Sequence, residues 1–325
     1  MVNSIIILNL LVFLIGDGGI PMLTIRHYKI FKAVAEYENM SEAAKNLYVS
    51  QPTVSQTILE IEKHYNAKLF ERFPKKLYIT DAGKKLLSFV NPLLYAFDNV
   101  NNLSLQQRAY YKIRVGATYT VSTYLLNDVM TSCKQKTDML DFFIQIDNTH
   151  KIEEQLLLNE LDFALVDGVI KSSDIVSVPI AEDCLILVCG DKHPFATRKR
   201  VRLEELNNQD FILREEESGT RKLFETQMET KKINYNVKWA SSSINAIKNA
   251  VIANQGLAII SARLIKDELE NGTLFVVKNK ECIWRRDVCL CYHKSKTLAP
   301  EFKPFIDTAI AYQKDGVLCP IVDEL

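Results

Sequence analysis

Residues 41–62, SEAAKNLYVSQPTVSQTILEIE, constrain this chain more than any other stretch. Ser41 is placed to cap a short helix whose inner face carries Ala43, Ala44 and Leu47, and Tyr48 and Val49 make a tight connection. Ser50 is placed to cap a second helix with Pro52 in its first turn, where a missing N–H costs nothing. Val54, Ile58 and Ile61 recur there at i, i+4, i+7, the pattern of a helix buried on one side. The opposite face offers Gln51, Thr53, Ser55, Gln56 and Thr57, short polar side chains able to reach base edges in a major groove. This is the layout of a helix-turn-helix, and a chain that begins so is built to read DNA.

The flanks extend that reading. A helix is expected over about Ile25–Glu38, with Tyr28, Phe31, Val34 and Ala35 inward and Arg26, Lys29 and Lys32 outward. Ala67 to Thr80 reads as two short strands around a turn at Pro74, a β wing. Arg72, Lys75 and Lys76 then sit where backbone phosphates pass, and Lys84 and Lys85 extend the basic surface. Each phosphate neutralised adds roughly −0.9 to the log–log salt slope of DNA binding. The charge is uneven: Met22–Tyr110 holds 12 Lys/Arg and 8 Asp/Glu, whereas Tyr111–Leu325 holds 28 and 31. A basic front and an acidic back fit a DNA-binding head on a differently employed body.

Asp81 to about Ala109 is helix-permissive, with an apolar stripe of Leu86, Leu87, Val90, Leu93, Leu94, Phe97 and Val100. A lone helix with that stripe needs a partner, and a second copy of itself is the natural one. Pro92 is expected to kink it, and Asn99, Asn101 and Asn102 weaken its end. From Lys112 the rhythm becomes β-α-β-α-β: strands at Ile113–Ala117, Phe142–Ile146 and Asp162–Val166, with helices over Ser122–Lys136 and Lys151–Asn159 between them. That order predicts a parallel sheet. Cys184–Cys189 opens a second unit, continued by Phe211–Leu213, Ser218–Arg221 and Gly256–Ile260, before a returning strand at Asp287–Tyr292 and a closing helix at Ala299–Tyr312. Two α/β lobes joined by two crossing strands resemble the bilobal fold of type 2 periplasmic binding proteins. The fold class is α/β overall, a winged helix-turn-helix and long linker helix followed by this bilobal part.

Catalysis finds no support. None of His27, His64, His150, His193 or His293 has a nucleophile or metal partner by spacing, and no GxSxG, P-loop or HExxH is present. No cofactor or metal site is expected. The seven cysteines form no CxxC pair, which points to reduced thiols in a cytoplasm. The apolar run Ile5–Ile15 is too short to span a bilayer of about 30 Å and lacks the flanks of a secretory signal. Residues 1–21 read as a non-native extension from a misassigned start. Gly16–Gly19 of the stretch Gly16–Pro21 can be encoded as GGA GAT GGA GGA, which would put a ribosome-binding sequence just before the Met22 codon.

Phe31, Ala43, Ala44, Leu47, Ser50, Gln51, Pro52, Ser55, Ile58, Glu62, Leu69, Phe70, Arg72, Thr80, Ala82 and Gly83 together resemble the head of the LysR-type transcriptional regulators. Residues 113–312 look like that family's effector-binding domain. The run Phe211–Glu215 with Ser218–Arg221 is similar to the branch holding sulfur-assimilation and carbon-fixation regulators. The resemblance implies a dimer of dimers, DNA sites of imperfect dyad symmetry, a small-molecule effector and contact with RNA polymerase. The implied domains are 22–80 for the winged helix-turn-helix and 81–111 for the linker and dimerisation helix. Lobe 1 takes 112–185 and 290–325, and lobe 2 takes 186–289.

Gln51, Pro52, Thr53, Ser55 and Gln56 are the candidate base readers, with Arg72, Lys75 and Lys76 on phosphates. For the effector, ligands of parallel α/β lobes sit at strand C-termini against helix N-termini. That selects Thr118, Tyr119 and Thr120 after the first strand, Asn148 and Thr149 after the second, and Ser218, Gly219 and Thr220 in the second lobe. Such hydroxyls and free N–H groups suit a small anion such as a carboxylate or sulfate. The competing reading, a membrane-anchored solute receptor of the same bilobal fold, leaves a DNA-reading head without employment.

Overall fold

The computed structural model describes residues 23–73, 76–101, 111–279 and 281–312. The expectations for residues 1–21, Pro74 and Lys75 lie outside them. The chain divides into two compact units between residues 105 and 106.

The first unit is three helices, a two-stranded wing and a long helix. These are α1 (Ile25–Tyr37), α2 (Met40–Asn46), α3 (Gln51–His64), β1 (Phe70–Arg72), β2 (Leu77–Ile79) and α4 (Asp81–Asn101). Phe31, Val34, Ala43, Val54, Ile58 and Ile61 close its core, with the Phe31 and Phe70 rings 5.5 Å apart. Ser50 caps α3 as expected, accepting from the Thr53 N–H at 3.3 Å. Ser41 does not cap α2. Asn39 does, its Oδ1 accepting from the Ser41 and Glu42 N–H groups at 2.8 and 3.2 Å, so the helix starts two residues earlier. Thr57 also departs from expectation and is buried, because at 100° per residue it falls within the stripe of Val54, Ile58 and Ile61.

Glu62 joins α3 to the wing. Its buried carboxylate accepts from the Leu69 N–H at 2.9 Å and meets Lys68 Nζ at 2.7 Å. Burial pushes its pKa up, but Lys68 and the strand N–H groups outweigh this and hold the carboxyl below its ordinary value. Thr80 opens α4, accepting from the Gly83 N–H at 3.0 Å while donating to the Lys68 carbonyl at 2.7 Å. A Cβ on Gly83 would stand 2.4 Å from the Leu69 carbonyl oxygen, so only glycine lets the helix lie against the wing.

The second unit is bilobal α/β. Lobe 1 contains β3 (Tyr111–Thr118), α5 (Tyr119–Tyr124), α6 (Leu126–Lys136), β4 (Leu140–Asp147), α7 (Thr149–Leu157) and β5 (Phe163–Val166). β3 pairs in parallel with both β4 and β5, as the β-α-β-α-β rhythm requires. The single helix expected over 122–136 is instead two, broken at Leu125. The long strand β6 (Ile175–Gly190) leaves lobe 1 for lobe 2. Lobe 2 adds β7 (Asp210–Leu213), α8 (Gly219–Thr230), β8 (Asn236–Ala240), α9 (Ile244–Ile252), β9 (Ala258–Ser261), α10 (Lys266–Glu270) and β10 (Leu274–Val276). β11 (Ile283–His293) runs back antiparallel to β6 along its length, with a register shift between Val288 and Cys289, and α11 (Lys303–Ala311) closes lobe 1.

Each lobe has apolar side chains on both faces of its sheet. Ile113, Val115, Phe163, Leu290 and Phe305 pack on one face of lobe 1, and Ile152, Leu156 and Val166 on the other. In lobe 2, Leu187, Phe211 and Phe224 cluster on one side and Ile186, Ile212 and Val251 on the other. Cys133, Cys189, Cys282, Cys289 and Cys291 are free thiols, as expected. Cys184 is not: it is disulfide-bonded.

Candidate functional site

Two surfaces carry the candidate residues, one in each unit. In the head, Gln51, Pro52, Thr53 and Gln56 stand exposed along α3, and Ser55 is half-buried at the edge of that face. Thr53 Oγ1 lies 2.8 Å from Ser50 Oγ. Gln56 Nε2 donates to Glu60 Oε1 at 3.0 Å, and Glu60 Oε2 meets His27 Nε2 at 3.2 Å. The Gln56 hydrogen bond, with help from His27, holds the Glu60 carboxyl below its ordinary pKa. On the wing, Arg72 is exposed, and Lys76 pairs with Glu38 at 2.5 Å and lies over the Tyr78 ring.

In the bilobal unit, one cleft is lined by Thr118, Tyr119, Thr120, Asn148, Thr149, Asp167, Arg214, Ser218, Gly219 and Thr220, around about 190 Å³ of open space. All three predicted loops therefore line the same cleft. Two glycines let the backbone close tightly there, Gly168 within lobe 1 and Gly219 between the lobes. A Cβ on Gly168 would stand 2.3 Å from Thr149 Oγ1, and one on Gly219 3.0 Å from the Gly168 Cα. Asn148 caps α7 through Oδ1, on the Lys151 N–H at 3.0 Å, and reaches across to Glu217 with Nδ2 at 3.2 Å. An adjoining recess of Ile244, Ile247, Ile259, Ile260 and Leu264 shares Thr120, Arg214 and Thr220 with the cleft.

The cleft floor is a buried ion network. Arg286, on β11, donates to Asp183 Oδ2 from Nε and Nη2 at 2.9 and 2.7 Å. Its Nη2 also lies 2.5 Å from Asp167 Oδ2, off the hydrogen-bonding direction. Burial works against the guanidinium charge, but Asp167 and Asp183 outweigh it and hold the Arg286 pKa above its ordinary value. Ser261 donates to Asp183 Oδ1 at 2.6 Å. The Tyr124 hydroxyl is driven upward by burial and by the same two carboxylates.

This network decides what the cleft hydroxyls offer. Thr118 donates its proton to Asp167 Oδ1 at 2.6 Å, because a carboxylate only accepts, so towards a ligand Thr118 presents lone pairs. Thr220 Oγ1 accepts from Arg286 Nη1 at 3.0 Å, because a guanidinium only donates, which leaves the Thr220 proton free. Arg214 is buried, pairs with Glu215 at 2.9 Å and lies over the Tyr119 ring. A wider groove along α7 and α8 shares Thr149 and Gly219 with the cleft, but three of its polar walls are already employed in Asn148–Glu217, Glu153–Ser172 and Lys231–Glu281 contacts.

Known proteins identify this combination. Residues 25–84 match the family described as bacterial regulatory helix-turn-helix protein, lysR family, and residues 107–314 match the LysR substrate binding domain. The chain belongs to the LysR family of transcriptional regulators. The HTH-type transcriptional activator CmpR of Synechocystis is 28% identical over 293 residues, 90% of this regulator and 96% of CmpR. A probable RuBisCO transcriptional regulator of Phaeodactylum tricornutum is 31% identical over 265 residues, 78% of this chain and 86% of its own. The regulatory domain of Synechocystis CcmR, solved in complex with 2-PG, superposes with a TM-score of 0.59 at 22% identity, covering 63% of this chain and 98% of its own. This LysR-type regulator therefore pairs a DNA-binding helix-turn-helix with an effector-binding α/β unit, and the membrane-anchored receptor finds no support. Among the described residues no helix is long and apolar enough to cross a membrane.

Sequence reading of this regulator missed four cleft residues. Asp167 follows the β5 C-terminus directly, so the strand-end rule that found Thr118 and Asn148 had the signal for it. Arg214 sits at the end of β7 in the same way. Asp183 and Arg286 lie inside strands and meet only through the β6–β11 pairing, which no local pattern reveals.

Proposed function

We propose that this regulator reads DNA with Gln51, Pro52, Thr53, Ser55 and Gln56 of α3 while Arg72, Lys75 and Lys76 neutralise phosphates. It works as a cytoplasmic homo-oligomer, a dimer of dimers, and its effector alters contact with RNA polymerase; it catalyses no reaction. The exposed polar face of α3 carries the DNA reading, since it is the face that the core leaves free. A Gln51→Ala, Gln56→Ala variant is expected to lose the dyad that the wild type protects upstream of its own gene in footprinting. Protection equal to wild type would sink the assignment of these residues.

The domains are 22–80 for the head, 81–111 for the linker helix, 112–185 with 290–325 for lobe 1 and 186–289 for lobe 2. The α4 surface supports self-association: Phe89, Leu93, Phe97 and Val100 lie exposed on it.

The effector binds among Thr118, Thr120, Asn148, Thr149, Ser218, Gly219 and Thr220. The N-terminus of α8 and the free Thr220 proton favour an anionic group there. Thr118, whose own proton is committed to Asp167, favours a donor on the ligand. The effector is thus a small organic anion that also carries a hydroxyl or ammonium group. The 2-PG bound by the CcmR regulatory domain supports a small-molecule ligand for this fold. Glycolate, glycerate and serine are expected to raise the melting temperature of the full chain more than acetate or sulfate at equal concentration. Equal shifts would leave an anion site without the donor preference.

A further inference from the structure

The geometry points to Glu60 as a positioning residue for DNA reading: it fixes the direction of the Gln56 amide and so makes Gln56 a reader of adenine. This rests on the proposal that Gln56 meets a base edge.

The chain of hydrogen bonds leaves one arrangement. The Thr24 backbone N–H lies 3.2 Å from His27 Nδ1 and can only donate, so Nδ1 accepts and the ring proton sits on Nε2. That N–H then donates to Glu60 Oε2 at 3.2 Å. Glu60 Oε1 also only accepts, so the Gln56 atom 3.0 Å from it is the amide nitrogen. The anchor comes from a separate helix: His27 belongs to α1, while Glu60 and Gln56 are one turn apart on α3.

With one N–H held by Glu60, the exposed Gln56 amide offers Oε1 and a single remaining N–H. Adenine presents an amino donor and the N7 acceptor side by side in the major groove, the complement of that pair. Guanine presents two acceptors, O6 and N7, which one N–H cannot satisfy while Oε1 faces a lone pair. Freed of Glu60, the amide turns either edge outward and has both N–H groups to give to any acceptor. Glu60 thereby sets discrimination without touching DNA.

The test is selection of bound sequences from a random library with the full chain, alongside titrations on specific and non-specific duplexes. Wild type is expected to prefer adenine over guanine at one base pair by about 5- to 150-fold, the range of a two-pronged contact. Gln56→Ala and Glu60→Ala are both expected to lose that preference at the same base pair and no other. Glu60→Gln keeps one accepting oxygen for two donors, so it is paired with His27→Phe, which removes the competing donor, and this double variant is expected to keep the preference. Both Glu60 variants lose a negative charge, so both tighten on non-specific DNA alike, and only orientation separates them. Retention of the preference in Glu60→Ala, or its loss in the His27→Phe, Glu60→Gln double variant, overturns the proposal. Equal loss at every position in Glu60→Ala also overturns it, as that marks a displaced helix rather than a turned amide. If Gln56→Ala leaves every position unchanged, Gln56 reads no base, and the proposal fails together with the assignment beneath it.

Discussion

At the scale of single residues, buried charge does the organising in both units. Asp183 takes two hydrogen bonds from Arg286 and one from Ser261 and is almost fully buried. Removing one partner of such a pair strands the other in low dielectric, at about 3–5 kcal/mol. Arg286 keeps Asp167, so Asp183→Leu is expected to lower unfolding stability by less than that full amount in urea titrations. Asp162, at the start of β5, makes a second test. Burial raises its pKa, but the hydrogen bond from Arg114, the Lys296 ammonium and the Arg114 charge together hold the carboxyl below its ordinary value. A depressed carboxylate stabilises the fold above its unfolded pKa, near 4, and loses that stabilisation as pH falls through the folded value. The stability gap between wild type and Asp162→Asn is expected to be constant from pH 7 to about 5 and to close below about 4. Urea midpoints across that range check it. The exposed face of α3 was legible because solvent-facing side chains follow from helical period alone. The ion network was not, since Asp167, Asp183 and Arg286 lie far apart in sequence and only the closed sheet brings them together.

At the scale of elements, caps decide where the reading helix begins. Ser50 holds the first turn of α3, and Asn39 holds that of α2. Asn39→Ala and Ser50→Ala are each expected to cost about 1 kcal/mol, seen as a lower melting temperature of the head. Asn39→Ser should recover most of the loss at its site. Sequence reading placed Ser41 as the cap of α2; Asn39 holds it instead, and propensity ranks the two residue types nearly alike, so period and propensity alone could not have chosen between them. The wing has a different signature. Arg72→Ala and Lys76→Ala are each expected to reduce the salt slope of DNA binding by about 0.9 while sparing base preference. Binding titrations on one duplex at several salt concentrations measure this. Lys76 must first give up Glu38, so its loss should cost less affinity than that of Arg72.

At the scale of the whole molecule, α4 bears the prediction. Phe89 and Val100 are each 66% exposed, more apolar surface than a lone helix leaves in water without reason. A Phe89→Glu, Val100→Glu variant is expected to shift the mass in light scattering towards the 37.1 kDa of one chain and to weaken binding to a full dyad. Unchanged mass would assign the oligomer to other surfaces. The order of units along the chain was fully legible, because a helical period gives way to a strand–helix alternation near residue 112. The sharing of strands between lobes was only partly so: β6 was expected from Cys184 onward but starts at Ile175, where charged and polar residues on its open face break the apolar run.

That sharing has a mechanical meaning. β6 and β11 stay paired from one lobe into the other and slip register once, between Val288 and Cys289. Lobes joined by a slack tether can drift apart at no enthalpic cost, whereas these two are stitched by backbone hydrogen bonds through the waist. A ligand that draws them together must work against the torsional stiffness of a two-strand ribbon, a spring rather than a joint. The misaligned step interrupts the ladder of that ribbon, and it lies two residues from Arg286. The same arginine that sets the hydrogen-bonding polarity of the cleft therefore stands beside the one step where the ribbon shifts register.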